Sequence, residues 1–252
     1  MTHAETFKAL HIKSDPIVLF NIWDAGTAKI VQSTGAKAIA TGSFPVAVAN
    51  GFADGQNIPL SLMLENLMRI VDAVDLPVSC DIEGGYGVDT ATVADTVRQV
   101  IKAGAIGFNF EDQIVGGEGL HSIEIQKQRV AAAREAADKA GSNIFVNART
   151  DLFLKAKPED HAVLIDQALA RAAAYGDAGA DGLFTPGLTD EALIKRLCAE
   201  CALPVNILAL PHAPAAAKLA ELGVARISHG PVPYKKMSAW FEERAKAAIF
   251  WR

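Results

Sequence analysis

Two carboxylates, Asp81 and Glu83, close a short apolar run, and three glycines follow within four residues, Gly84, Gly85 and Gly87. The run, Pro77-Val-Ser-Cys-Asp-Ile-Glu-Gly-Gly-Tyr-Gly87, carries the β-branched Val78 and Ile82 and reads as a strand ending on an acidic edge. Side chains alternate faces along a strand, so these acids point the same way, and the glycines let the backbone turn tightly beside them. Neighbouring carboxylates repel unless a cation or a shared proton lies between them, which makes a hard divalent ion such as Mg²⁺ the natural third party. A solvated strand end is the plain alternative, since D-x-E followed by glycine is common in turns.

The elements that must position such a pair alternate along the chain. Apolar strands are predicted at 17–21, 38–42, 77–83, 107–111, 143–149, 182–185, 204–208 and 225–228. Between them run amphipathic helical stretches ending at Gly35 and then covering 60–74, 90–103, 123–140, 160–178, 189–200 and 213–222, with a short helix at 3–12 in front. Gly35, Gly104, Gly179 and Gly223 stand where helix C-caps are needed. Continuous apolar strands alternating with helices imply a parallel sheet covered by helices. Eight units in 252 residues fit an α/β fold of the (β/α)8 TIM-barrel type, one domain over 1–252. An open doubly wound sheet is the alternative, but its glycine fingerprint is missing at the first strand–helix turn, where Trp23-Asp-Ala-Gly-Thr stands.

A barrel keeps its active site at the C-terminal ends of its strands. There the chain places Thr41-Gly-Ser43-Phe44, Asp81 and Glu83, Asn109 and Glu111-Asp112, Arg149 and Asp151, Thr185, Asn206, and Ser228-His229, with Asp54 in the long loop after the second strand. Several acids facing one arginine across a barrel mouth suit a metal ion and an anionic substrate.

These residues resemble the isocitrate lyase/phosphoenolpyruvate mutase superfamily, of the phosphoenolpyruvate mutase type. The likeness rests on four segments in order: Gly42-Ser43-Phe44, Asp81-Ile-Glu83-Gly-Gly-Tyr-Gly87, Glu111-Asp112 and Ala148-Arg149-Thr-Asp151. It implies a phosphoenolpyruvate/pyruvate-type barrel with a Mg²⁺ site, Mn²⁺ being an alternative ion, in which Asp81 ligates the metal while Asp54, Glu83 and Glu111 hold its waters. It also implies a small 2-oxo or 2-hydroxy carboxylate as substrate, with Arg149 and the backbone N–H groups of Ser43 and Phe44 receiving its carboxylate. The metal and Arg149 would stabilise a pyruvate-enolate-like charge as it develops.

One departure bears on the reaction. Isocitrate and methylisocitrate lyases carry a K-[KR]-C-G-H segment after the fourth strand, whereas this chain has Gln113-Ile-Val-Gly-Gly-Glu-Gly-Leu-His-Ser122, without the cysteine. Proton donation then falls to Glu118, His121 or water, or is not needed if the reaction is a decarboxylation, and Gly116, Gly117 and Gly119 suit a mobile lid or an inert surface loop. The lysine and asparagine common on the phosphonate-branch loop are missing too. Thr185, Asn206 and His229 are candidates to read the substrate's side chain, each with a packing or capping role as alternative.

The reading is therefore a Mg²⁺-dependent carbon–carbon lyase using retro-aldol, retro-Claisen or decarboxylation chemistry. Its rivals are phosphoenolpyruvate mutase or phosphonopyruvate hydrolase chemistry, and a silent oxo-acid-binding protein. A Schiff-base aldolase is disfavoured because no lysine stands at a strand end.

Composition bounds the partners. A net charge of −5 without a Lys/Arg stripe argues against nucleic acid. No apolar run reaches membrane-spanning length, and the N-terminus lacks the order of a signal peptide. The three cysteines, Cys80, Cys198 and Cys201, fit a reducing compartment, so a cytoplasmic location is expected, with Cys198-Ala-Glu-Cys201 read as packing. Met237, Trp240, Phe241, Ile249, Phe250 and Trp251 near the C-terminus suggest a surface buried in this chain or a neighbour, and a homo-oligomer, dimer or tetramer, is expected.

Overall fold

The structure, a computed structural model, describes residues 1–251. Eight parallel strands form a nearly closed (β/α)8 barrel in the order β1-β8-β7-β6-β5-β4-β3-β2. They are β1 (Ile17–Leu19), β2 (Ile39–Ala40), β3 (Val78–Asp81), β4 (Gly107–Glu111), β5 (Phe145–Arg149), β6 (Gly182–Phe184), β7 (Val205–Leu208) and β8 (Arg226–Ser228). The seam between β1 and β2 is bridged at Ile22 and Thr41, where the Ile22 N–H donates to the Ala40 carbonyl at 2.9 Å.

The helices are α1 (His3–Ala9), α2 (Ala25–Ser33), α3 (Ser43–Ala49), α4 (Leu60–Ala73), α5 (Thr90–Lys102), α6 (Ile123–Lys139), α7 (His161–Asp177), α8 (Glu191–Glu200), α9 (Ala216–Glu221) and α10 (Val232–Ile249). Side-chain oxygens of Asp24, Asp89, Ser122 and Asp190 cap α2, α5, α6 and α8 by accepting from the third backbone N–H of each helix. Helix α3 is a difference from the sequence reading, which leaves 43–59 as a loop. Its sequence, SFPVAVA, holds two valines and a proline and so lacks helix propensity, but Pro45 lies in the first turn, where its missing N–H costs nothing.

Strand alternation divides the core into two layers. Outward-facing Cys80, Phe108, Phe110, Val146, Ala148, Leu183, Ile207 and Ile227 are buried under the helices in the main apolar cluster. Inside the barrel, Phe7 from α1 plugs the bottom together with Ile17, Leu19, Ala38, Ala40 and Phe145. Gly107 is what admits this plug, because a Cβ there would stand 2.9 Å from the Phe7 ring.

Above the plug the interior turns polar. Asn109, Asn147, Asn206, Ser228 and Arg226 are all buried. They are joined by bonds from Asn147 Nδ2 and Arg226 Nη2 to Asn109 Oδ1 at 2.9 and 3.1 Å, and from Ser228 Oγ to Asn206 Oδ1 at 3.2 Å. This layer is the floor on which the strand-end residues stand.

Candidate active site

Register brings the charged residues together. Asn109 pairs with Asp81 across β3 and β4, and Glu111 pairs with Arg149 across β4 and β5, so three neighbouring strands deliver Asp81, Glu111 and Arg149 to one rim. Arg149 Nη1 lies 2.8 Å from Glu111 Oε2 and 3.9 Å from Asp81 Oδ2. Its Nε and Nη2 bond both oxygens of Asp151 at 2.6 and 3.0 Å, a fork that fixes the guanidinium plane. Asn109 Nδ2 donates to Asp81 Oδ2 at 3.2 Å, and the Glu83 N–H donates to Asp81 Oδ1 at 3.0 Å.

The turn after β3 holds its acids in uncommon conformations. Glu83 and Tyr86 both adopt positive φ, at 50° and 59°, as does Gly85 at 79°. A Cβ on Gly85 would also meet the Phe110 ring at 2.9 Å, so the turn can lie flat on β4 only with glycine there. From below, the buried Arg129 donates to the carbonyls of Gly84 and Gly87, clamping the turn. Backbone strain held by buried partners is characteristic of functional sites.

Crowding of acids is legible in their protonation. Burial first, then Asp81 and Asp54, pushes the Glu83 carboxyl up to about 7. Burial and then Asp81 also raise Asp54. Burial raises Glu111 well above the usual carboxylate range against the pull of Arg149. Burial alone would lower Arg149, but Glu111, Asp151 and Asp81 hold it firmly cationic.

The donor set at this rim is all hard oxygen, and its mutual repulsion is of the kind a divalent cation relieves. Among the described residues no three His, Cys, Asp or Glu side chains converge closely enough to cage a metal. The hard carboxylate oxygens of Asp81, Asp54, Glu83 and Glu111 are of the chemical type that suits Mg²⁺, which takes few protein ligands and keeps several waters.

A cavity of about 280 Å³ opens at this rim, lined by Asn21, Ser43, Phe44, Asp54, Asp81, Asn109, Arg149, Ser228 and Lys235 among others. Ser43, Phe44, Asp54, Asp81 and Arg149 thus line one cavity. Glu83 lies behind it, accepting the Gln56 N–H at 2.8 Å, in a small cleft that also touches Ser43 and Asp81.

Five of the residues singled out in the sequence lie elsewhere. Thr185 and Asn206 are fully buried beneath the rim, with the Thr185 hydroxyl and the Asn206 amide nitrogen unpartnered. His229 tilts its ring against Phe20 at 5.2 Å, and its backbone N–H donates to Asn21 Oδ1 at 2.9 Å. His121 faces a separate cleft with Gln56, Tyr86 and Arg129. Glu118 is exposed on the loop that the Gln113–Leu120 bridge closes. That bridge and the His121 N–H to the Asp112 carbonyl, at 2.8 Å, turn the histidine away from the mouth.

The sequence reading places Asn109 at a strand end but gives it no role, and it does not single out Asn21 or Lys235. Asn109 carries a usable signal, since in strand 107–111 it shares a face with Glu111. Lys235 has none, because it reaches the cavity from α10 after the last strand.

The chain matches the phosphoenolpyruvate phosphomutase family over residues 7–249. It belongs to that family. This member of the phosphoenolpyruvate phosphomutase family is 30% identical to 2-methylisocitrate lyase of Escherichia coli over 207 residues, 80% of this chain and 68% of the relative. A structure from Burkholderia cenocepacia J2315, described as a candidate phosphonomutase, superposes with a TM-score of 0.95 at 49% identity over 98% of both chains. A 2,3-dimethylmalate lyase, itself a member of the PEP mutase/isocitrate lyase superfamily, superposes with a TM-score of 0.84 at 27% identity, covering 100% of this chain and 89% of that one. No helix among the described residues is long and apolar enough to cross a membrane.

Proposed function

We propose that this protein is a Mg²⁺-dependent carbon–carbon lyase acting on a small 2-oxo or 2-hydroxy carboxylate. The observation that carries the reading is the meeting of Arg149 and Asp81 in one cavity, with Asp54 beside them and Glu83 and Glu111 just behind. Asp81 would ligate the metal directly, and Asp54, Glu83 and Glu111 would accept hydrogen bonds from its waters. Bound Mg²⁺, or Mn²⁺ in its place, supplies Lewis acidity toward the 2-oxo or 2-hydroxy oxygen.

Arg149 takes the substrate carboxylate with the Nη1 that Asp151 leaves open, exchanging its contact with Glu111 for the ligand. The Ser43 and Phe44 N–H groups, at the start of α3, face the same carboxylate. As the carbon–carbon bond breaks, negative charge gathers on the retained oxo-acid fragment, and Arg149 is already in place to balance it. The proton that quenches this charge comes from Glu118, carried over the mouth by the 113–121 loop, or from water; His121 is directed into its own cleft.

Carbon–carbon cleavage is favoured over carbon–phosphorus chemistry because the loop 113–121 carries neither the lysine nor the asparagine that would meet a phosphoryl group. Incubation with Mg²⁺ and candidate acids, followed by NMR, should yield a 2-oxo acid and no phosphate. Phosphate release, or a mutase product, would replace this reading with the phosphonate one. Binding without any turnover would mark an oxo-acid-binding protein.

The exposed Trp240, Phe241, Ile249, Phe250 and Trp251, 56–82% accessible, support a homo-oligomer, dimer or tetramer. Three free, buried cysteines support a reducing compartment such as the cytoplasm.

A further inference from the structure

We infer that the cleft between the loop 113–121 and the turn after β3 is a second ligand site, separate from the barrel mouth, which takes a small oxyanion, phosphate or a carboxylate, against the His121 ring. The two sites share no lining residue.

The cleft holds about 270 Å³ and is lined by Gln56, Gly84, Tyr86, Gln113, His121 and Arg129 among others. That is just below the roughly 300–1,000 Å³ of ordinary ligand pockets, so its occupant is small. Val115 seats the loop on the turn, since a Cβ on Gly84 would stand 2.9 Å from Val115 Cγ2. Among the described residues no Asp or Glu lines the cleft. The Gln56 amide is oriented by its Oε1, which accepts the Tyr86 N–H, and this leaves Nε2 as a donor beside Gly84, 3.6 Å from where that Cβ would be.

Charge decides what such a cleft takes. Arg129 is 2% exposed, donates to Gln126 Oε1 and to the carbonyls of Gly84 and Gly87, and leaves its Nε unpartnered. All three acceptors are neutral, so this guanidinium is hydrogen-bonded without being neutralised. Asp112, which acts on it through space, is already paired with Arg171 at 2.9 Å. His121 lies beside both arginines, only 7% exposed, and neither of its ring nitrogens is hydrogen-bonded among the described residues. Its backbone is fixed at both ends, the N–H donating to the Asp112 carbonyl at 2.8 Å and the carbonyl accepting from Arg171 Nη1 at 3.1 Å, so the ring is held toward the cleft. Burial, then the two arginines, keeps that ring neutral, with one N–H to donate. A buried donor without an acceptor is costly, and so is a buried cation without a counter-charge. One oxyanion answers both, accepting from His121 and Gln56 while Arg129 stands behind them as fixed positive charge.

The test is titration of the full chain with inorganic phosphate and, separately, acetate in Mg²⁺-free buffer of low ionic strength, followed by calorimetry and by the ring-nitrogen NMR signals of the histidines. At least one of the two should bind with a Kd of about 1 mM or below and move the His121 signals, which are assigned from their loss in His121→Gln. His121→Gln should weaken that anion by about tenfold or more, while Arg149→Ala, at the barrel mouth, should leave it within about twofold. Val88 stands exposed at the lip of the cleft, so Val88→Glu should weaken the anion and Val88→Lys strengthen it, each by about threefold, with little risk to the fold. Thermal melts check that every variant folds. Acetate bound in place of phosphate supports the inference equally and makes the ligand a carboxylate. No binding of either anion, or binding that is lost in Arg149→Ala and untouched by His121→Gln and the Val88 pair, overturns it. Mg²⁺-dependent oxalate binding is measured apart, so that reading stands or falls independently.

Discussion

Asp151 grips Arg149 through two parallel bonds, Nε to Oδ1 at 2.6 Å and Nη2 to Oδ2 at 3.0 Å. The grip uses up one edge of the guanidinium and leaves Nη1 pointing at Glu111 and Asp81. A carboxylate ligand arriving at the rim thus meets an arginine whose orientation is already set, with little rotamer freedom left to lose.

Asp81 and Arg149 should separate in their effects. Asp81→Ala is expected to abolish metal-dependent binding of oxalate, whereas Arg149→Ala should weaken oxalate by about 2 kcal/mol, on the order of 30-fold, and leave metal affinity largely intact. Titrations of Mg²⁺ alone and of oxalate in Mg²⁺ give the two numbers. Small, equal effects from both variants would contradict the site assignment.

His121 should prove dispensable for ligand binding. Its ring faces the cleft of Gln56, Tyr86 and Arg129, where burial, then Arg129 and Arg171, lowers its pKa. His121→Gln is expected to leave both oxalate affinity and turnover close to wild type, while Glu118→Gln slows turnover without weakening oxalate. Steady-state rates beside calorimetric affinities make the comparison, and a large loss of turnover in His121→Gln would mean that the loop reorganises to bring this ring to the mouth.

Asp112, next to Glu111, is a structural residue. It is fully buried, accepts from Arg171 Nη1 at 2.9 Å and the Tyr175 hydroxyl at 2.8 Å, and receives the Asp151 N–H at 3.0 Å. Removing the carboxylate strands the Arg171 cation in the interior, so Asp112→Ala should lose about 3–5 kcal/mol of stability in urea unfolding. A loss below about 1 kcal/mol would show that Arg171 finds water once its partner is gone.

Acid should weaken the fold through His11. This ring stacks on Phe145 at 4.1 Å, meets Phe7 edge-on at 4.8 Å and bonds the Phe7 carbonyl through Nδ1 at 2.8 Å. Burial first, then Arg226, lowers its pKa from 6.5 to about 3. The folded state keeps the ring neutral while the unfolded chain takes up a proton near 6.5, so this stability is whole above 6.5 and falls as pH drops from there toward about 3. The slope is about 1.4 kcal/mol per pH unit, or about 2 kcal/mol lost between neutral pH and about pH 5. His11→Leu should remove that slope in urea unfolding at the two pH values, and an unchanged slope would assign acid sensitivity to other groups.

Much of the fold is written locally. Alternating apolar strands and amphipathic helices give the eight-unit count, and Gly35, Gly104, Gly179 and Gly223, predicted as caps, all adopt positive φ between 87° and 98°. The strand-end acids and Arg149 are legible because register in a parallel barrel carries strand ends to one rim. What stays hidden depends on tertiary pairing. The Gln113–Leu120 bridge decides where His121 faces, and the asparagine and arginine layer inside the barrel makes strand-end position a poor guide for Thr185 and Asn206. Lys235 is invisible for the same reason, since its place in the cavity depends on how α10 leaves β8.

The most direct test of the account is a thermal melt of the intact protein with Mg²⁺ alone, oxalate alone and both together. A ligand that binds only the folded state raises its melting temperature by mass action, about 2.7 kcal/mol at a hundredfold excess over Kd. The account predicts a shift with the pair that exceeds the sum of the separate shifts, because Asp81 holds the metal and Arg149 the anion at one rim. Equal, additive or absent shifts would mean that Asp81 and Arg149 do not form a joint site, and the metal-dependent reading of this barrel mouth would fall.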